Sequence, residues 1–190
     1  MINCWELPES YKIGETVYGL NTDYRDILEI FTYLDDPDLP EFIKWKIAVA
    51  LFYQEEIPDE NFQAAADYLA FFIRCGQKET KGPRMLDWQQ DAIAIVADVN
   101  RVAGTEIRCL KKLHWWTFMS WFHGIGQGQL SAILTIREKL RKGRKLESWE
   151  QDFYRENKKR VDLPPRYSIQ EREEQERLQR LLDDTKVVNK

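Results

Sequence analysis

At 190 residues and 22.7 kDa the chain has room for one domain with a tail, and not for two full domains. Hydrophobic residues make up 43% of it, with 7 Trp, 8 Tyr and 9 Phe, enough to bury a sizeable core and exclude wholesale disorder, while the 32% of charged residues favours solubility. The net charge of −4 joins two unlike parts: Met1 to Asp67 holds 15 Asp and Glu against 4 Lys and Arg, and the remainder holds 17 against 24. Such asymmetry points to a basic interaction surface, or to acidic and basic faces that meet within the fold or between subunits. The acidic part argues against general nucleic-acid affinity, since it repels phosphate.

The longest dense apolar run, Ile47 to Tyr53, falls far short of the roughly 18 residues needed to span a bilayer, so no membrane segment is expected. Glu6 and Glu9 stand where a signal peptide would be apolar, which predicts a cytosolic chain.

Every proline lies at an apparent boundary, leaving long intervals for helices. Lys12 to Leu20, with turn glycines among β-branched and aromatic residues, is enough for one short hairpin. Tyr24, Ile27, Leu28, Phe31 and Leu34 keep the spacing of a helix face behind a Thr22 or Asp23 cap. The stretch Glu41 to Tyr53 is apolar nearly all round, which predicts a central helix. Asp59 can cap a third helix that ends at Gly76, and Gln77 to Pro83 reads as a loop. Further helices are predicted over 86–103, stopped by Gly104, over 107–123, over 130–141, stopped by Gly143, and over 147–160, where Trp149 and Phe153 stand four apart.

The double proline Pro164-Pro165 then breaks the chain. Ser168 with Glu171 opens a charged helix whose only apolar edge is Leu178, Leu181 and Leu182, so it is expected to dock weakly or to order on a partner. The expected architecture is all-α: a compact bundle of about seven helices over 1–163, with residues 1–20 as an arm or hairpin, and a charged helix or tail over 164–190.

Chemistry-bearing patterns are sparse. Cys4, Cys75 and Cys109 are odd in number and widely spaced, which predicts free thiols, two of them within helices. His114 and His123, nine residues apart on one straight helix, face opposite ways and read as structural. No zincin, P-loop or nucleophile-elbow pattern occurs, so no catalytic centre, cofactor or metal is expected. The turn Gly124-Ile-Gly-Gln-Gly128 is weak as an anion cradle and reads as a connection that needs positive φ.

The densest feature is the run His114 to His123. On a helical wheel its aromatics form one broad arc of core residues, with Trp116 outside it beside Lys112, Ser120 and His123. Trp116 is thereby a candidate interface anchor. Arg137, Lys139, Arg141, Lys142, Arg144 and Lys145 put six positive charges into nine residues, a candidate stripe for an acidic protein partner. The candidate partner-binding set is therefore Trp116, Lys112, His123, Arg137, Arg141, Lys142 and Arg144. The alternative is a nucleic-acid-binding or packaging accessory that uses the same basic stripe.

Several strings match a known pattern together: Asp87-Trp-Gln-Gln-Asp91-Ala92, Ala103-Gly104-x-Glu106-Ile107, His114-Trp115-Trp116-x-Phe118 and Ile133-x-x-Ile136-Arg137. With Asp23-Tyr24-Arg25-x-Ile27-Leu28, Asp36-Pro37-Asp38-Leu39 and Cys75-Gly76, the chain resembles, over roughly residues 20–163, tail assembly chaperone-like proteins of long-tailed phages and prophages of Gram-positive bacteria. The glycine-rich turn at 124–128 departs from that family, and the tail after Leu163 lies outside the resemblance. The resemblance implies an all-helical, non-catalytic protein of the host cytoplasm, absent from the finished virion. It implies the tape measure protein as partner, tail-tube subunits as its successors on that chain, and self-association as a further contact.

Overall fold

The computed structural model describes residues 5–78 and 82–188, with side chains as far as residue 180. Eight α-helices follow a two-stranded hairpin: β1 (Ser10–Ile13), β2 (Thr16–Gly19), α1 (Tyr24–Leu34), α2 (Glu41–Phe52), α3 (Phe62–Ile73), α4 (Ala92–Ala103), α5 (Trp115–His123), α6 (Gln129–Arg141), α7 (Ser148–Val161) and α8 (Ile169–Val188). The all-α expectation holds, hairpin included. The strands pair antiparallel around Gly14, whose φ of 61° suits the tight turn. No helix among the described residues is long and apolar enough to cross a membrane.

The main packing of the first seven helices runs in the order α3, α2, α1, α5, α4, α6, α7, and the tryptophans that open α5 also reach the end of α3. Between them lies a continuous core containing Leu20, Ile27, Ile30, Phe52, Leu69, Phe72, Val99, Trp115, Phe118 and Ile133. The apolar stripe of α1 points into it through Tyr24, Ile27 and Ile30, behind an Asp23 cap whose Oδ1 accepts from Arg25 N at 2.9 Å.

Several boundaries differ from the sequence reading, each for a local reason. The apolar helix α2 lies between α1 and α3 and is not covered all round: Phe42, whose ring meets Phe62 of α3, and Ile43 stay exposed. Asp59 caps nothing. It opens a 3-10 turn, Asp59–Asn61, and its carboxylate meets Lys46 Nζ at 2.7 Å. The helix expected over 86–103 starts only at Ala92, because Asp87 Oδ1 holds the amides of Gln89 and Gln90 in a preceding turn.

The helix expected over 107–123 is broken in two: a 3-10 turn, Ile107–Cys109, then extended chain, then α5. Cys109 sits in that turn and Cys75 just past α3 at φ 52°, so neither thiol is within an α-helix; Cys4, part of the loop at 77–83 and the side chains of Leu181 and Leu182 lie outside the described residues.

The glycines of the 124–128 turn have no positive φ; the left-handed ones are Gly14, Gly76, Gly104 and Gly143. What the turn needs at Gly128 is room. A Cβ there would collide with the Asp98 carboxylate, which caps α6 by accepting from Leu130 N at 2.9 Å.

Candidate partner-binding surface

The motif residues of the sequence converge on the middle of the bundle, where they serve the backbone. Just before α1 and α5 the two chain segments lie antiparallel, Asp23 opposite His114. Tyr24 N donates to Leu113 O at 2.9 Å and Trp115 N to Thr22 O at 2.7 Å. Asp23 Oδ2 accepts from Leu113 N at 2.9 Å, so one carboxylate caps α1 and ties down the start of α5. His114 caps α5 itself: Nδ1 accepts from Trp116 N at 3.0 Å, while Nε2 donates to Pro8 O at 3.1 Å. That pair of contacts fixes the neutral tautomer, and burial pushes the imidazole below its ordinary pKa.

The paired tryptophans complete another helix. Trp115 Nε1 and Trp116 Nε1 each donate at 2.9 Å, to Ile73 O and Phe72 O at the end of α3, the latter carbonyl accepting also from Cys75 N at 2.9 Å. Their rings pack against Phe31, Trp88, Phe118, Phe72 and His114.

Arg137 does the equivalent for α7. It donates twice to Asp91, at 2.6 and 2.8 Å, to Val161 O at 2.7 Å, to Arg160 O at 2.8 Å and to Met85 O at 2.9 Å. All five guanidinium N–H groups are thereby engaged, the condition under which a buried charge pair is tolerated. Gln90 adds Nε2 contacts to the carbonyls of Arg160 and Asp162 at 2.9 and 2.8 Å. Asp87 is gripped by Arg84 and Arg166; burial alone would raise its carboxyl, but hydrogen bonds from the Gln90 amide, Arg166, the Gln89 amide and Arg84 hold it down at about 2.

These placements correct two residues of the expected surface. Trp116 is only 8% exposed, a core residue with its N–H satisfied, because the end of α3 covers the face of α5 on which it stands. Arg137 is 6% exposed and locked onto Asp91, because the inner face of α6 meets the end of α7 at that point. Of the remainder, Lys112 is half exposed and meets Glu9 at 2.8 Å, and His123 is exposed in the last turn of α5. Arg141, Lys142 and Arg144 are exposed at the end of α6, where Lys142 pairs with Glu138. The seven residues thus divide between a buried frame and separate surface positions.

The surface features that stand out instead lie at the two ends of the helix series. At the basic end, Leu140 and Trp149 are exposed in the stretch that holds the exposed Arg141, Arg144 and Lys145, and Trp149, at 53%, donates its ring N–H to Glu147 at 3.2 Å. From Gln129 to Val161 there are ten Lys and Arg against five Asp and Glu, a net of +5. At the acidic end, Phe42 at 60% exposure lines a groove between α2 and α3 together with Trp45, Phe62, Ala66, Ala70, Glu41 and Asp67, and Ile43 is exposed elsewhere on α2. From Glu41 to Ile73 there are six Asp and Glu against two Lys, a net of −4. Trp149 lay within the predicted seventh helix but carried no signal of exposure except its charged neighbours. Phe42 and Ile43 were hidden by the uniform apolarity of their helix.

The model of the bacteriophage Gp15 protein family matches residues 5–163. Neither the curated proteins nor the solved structures offer a significant match. The matched span covers the hairpin and α1 to α7 and stops before the double proline, so the polar frame just described lies within it except for Arg166.

Proposed function

The chain belongs to the bacteriophage Gp15 protein family, and from that premise we propose that it is a non-catalytic tail assembly chaperone that holds the tape measure protein in solution during assembly. The observation that carries this reading is the basic end of the bundle. There Trp149 and Leu140 stay in water within a stretch of chain that also carries the exposed Arg141, Lys142, Arg144 and Lys145, on a fold whose motif-borne polar groups are consumed by its own backbone. A long, aggregation-prone client of the kind the resemblance implies offers apolar segments to bind. A solvent-held tryptophan supplies contact area at low entropic cost, and the surrounding cations steer encounter.

Co-expression with the tape measure protein of the same phage tests this. The client is expected to stay soluble and to co-purify with the chain, and Trp149→Ala is expected to weaken recovery severalfold with the melting temperature unchanged. Full recovery with Trp149→Ala and Arg144→Glu combined removes this surface from the function, and an insoluble client in the presence of the chaperone removes the function itself.

The same exposed cations favour one other reading, a nucleic-acid-binding accessory protein. It requires an affinity for duplex DNA that falls steeply with salt, by roughly one power of salt concentration per phosphate contacted. The compensating −4 at the opposite end weighs against it.

A further inference from the structure

After the double proline the chain runs back along the bundle. Pro164 O accepts from Arg84 at 3.0 Å, Arg166 reaches Asp35 at 2.6 Å and Asp87 at 3.1 Å, and Arg172 reaches Asp38 at 3.4 Å. Asp38 also accepts from Ile169 N, the first amide of α8, so one carboxylate holds both the start of that helix and its first arginine. Between this segment and the bundle lies a cleft, bounded by the end of α1 and the turn that precedes α4. Leu28, Phe31 and Trp88 line it with apolar surface, the last two rings 5.8 Å apart, and Asp35, Asp38 and Asp87 line it with carboxylates. We propose that residues 164–172 are a detachable strap, and that the cleft they cover is a docking site for an extended, arginine-bearing segment of another protein, which the strap excludes by holding its place.

Three observations support this. The strap does not fill the cleft: about 430 Å³ stays open between Pro165, Arg166, Tyr167 and Arg172 on one side and the bundle on the other, whereas an element of the core packs without voids of that size. Its ties are within reach of solvent, the Arg166 and Arg172 side chains being 30% and 57% exposed. Ion pairs of that kind contribute about 0–1 kcal/mol each and weaken with salt, so the strap can lift while the bundle stays folded. Finally, the cleft residues of α1 and of the 87–88 turn lie inside the matched span, which ends at residue 163, and the strap lies outside it. The cleft is thus a feature of the folded domain, and the strap is laid over it.

The strap also indicates the chemistry of the ligand. A guanidinium shared by two carboxylates, with a second one six residues on, favours arginine over lysine, because the planar fork can serve both acceptors at once. The cleft uses no residue of the basic end, so this proposal and the client reading fail separately.

The test uses the full chain and, as probe, a fluorescein-labelled peptide of residues 163–173, followed by anisotropy. A short tether presents the strap at about millimolar effective concentration, so a peptide with a Kd of about 0.1 mM for the open cleft is held off about tenfold in the closed chain. The wild type is accordingly expected to bind weakly. Arg166→Glu with Arg172→Glu, which repels the strap from its carboxylates, is expected to bind about tenfold more tightly, with an affinity that falls as salt rises. Arg172→Glu alone, which changes only a solvent-reached pair, is expected to give a smaller gain of the same sign, so the outcome does not depend on how the double variant folds. Adding Asp35→Asn and Asp38→Asn to the open chain is expected to abolish binding. A second peptide that keeps only Pro-Pro-Arg-Tyr and the arginine six residues on, with alanine elsewhere, is expected to bind comparably. In the wild type, excess peptide is expected to speed amide exchange across residues 166–172. Equal affinity in the closed and open chains overturns the proposal, as does binding that survives loss of the Asp35 and Asp38 charges or leaves exchange across 166–172 unchanged. Failure of the alanine peptide alone would mean that the cleft reads its own tail and takes no outside segment, which also overturns it.

Discussion

The middle of this molecule and its two ends use similar residues for opposite purposes. In the middle, at α4, α5 and α6, tryptophan, histidine, arginine and aspartate are buried, and each closes a backbone gap: Trp115 and Trp116 end α3, His114 starts α5, Asp98 starts α6, and Arg137 with Asp91 ends α7. At the ends, Phe42, Ile43, Trp149, Arg141 and Arg144 remain in solvent. A dense run of distinctive residues is therefore no guide to the binding surface here. Short helices of 9 to 14 residues leave many unpaired N–H and C=O groups for their length, and the motif supplies the side chains that satisfy them.

The contrast predicts a division between stability and binding. The largest effect is expected from breaking the buried pair: Arg137→Ala or Asp91→Ala leaves the opposite charge buried and alone, costing about 3–5 kcal/mol of stability in denaturant unfolding. Trp116→Ala belongs beside it at about 3–5 kcal/mol, since it empties core volume and takes the ring N–H from the Phe72 carbonyl. Phe42→Ala and Trp149→Ala, at the ends, are expected to stay within about 0.5 kcal/mol of the wild type. If Trp116→Ala melted like Trp149→Ala, the middle would not be the frame described here.

A smaller effect is expected at Gly128. Gly128→Ala forces its Cβ against the Asp98 carboxylate, so either the cap on Leu130 N or the turn must give way, at about 1–3 kcal/mol. Gly126→Ala, where nothing lies within reach of a Cβ, serves as its control.

His114 sharpens the comparison through pH. Its folded pKa lies below the ordinary value because burial penalises the cation, with Glu9 opposing and Lys112 reinforcing that shift. A depressed pKa means that the stabilisation is fully present above about pH 6.5, the value in the unfolded chain, and is lost as pH falls from there through the folded value. Protonation at Nδ1 also removes the acceptor for Trp116 N. The melting temperature is therefore expected to drop between neutral and mildly acid pH, and His114→Asn, which can still cap, is expected to flatten that drop.

Much of the fold was legible because it rests on local signals. The proline-bounded intervals, the Asp23 cap, the Gly104 and Gly143 stops and the hairpin around Gly14 all act within a few residues and are all present. What escaped reading depends on distant partners. The break before α5 is made by Thr22 and Asp23, some ninety residues upstream, holding Leu113 and Trp115 in an extended pairing. Helical periodicity from Leu110 to Phe122 gave no sign of that pairing, nor of the end of α3 that covers Trp116 on the polar side of the wheel. Arg137 was hidden likewise: within its own helix it looks like one more cation of a basic stripe, and only Asp91 and the last carbonyls of α7 distinguish it from Arg141. The helix α2 misled in the other direction, since an all-apolar helix reads as central and nothing local shows that one flank lacks a neighbour.

The smallest expected effect concerns the tail. Residues 164–172 are tied to the body by Arg166 with Asp35 at 2.6 Å and with Asp87 at 3.1 Å, by Arg172 with Asp38 at 3.4 Å, and by Ile169 N on Asp38 Oδ1 at 2.5 Å. Beyond them α8 presents Leu178 to solvent and follows the matched span. Exposed ion pairs of this kind are worth about 0–1 kcal/mol each and weaken with salt. Removal of everything after Leu163 is therefore expected to leave the cooperative melt of the core in place, lower by no more than a few degrees, and less so at high salt. The position of the loss distinguishes two origins. Arg166 also grips the Asp87 turn that precedes α4, so Arg166→Ala in the full chain should reproduce most of the truncation's effect if the latch matters, and little of it if α8 contributes through packing of its own. A truncated chain that melts without cooperativity would place the tail inside the core, and would show that the middle frame depends on an element beyond the matched residues.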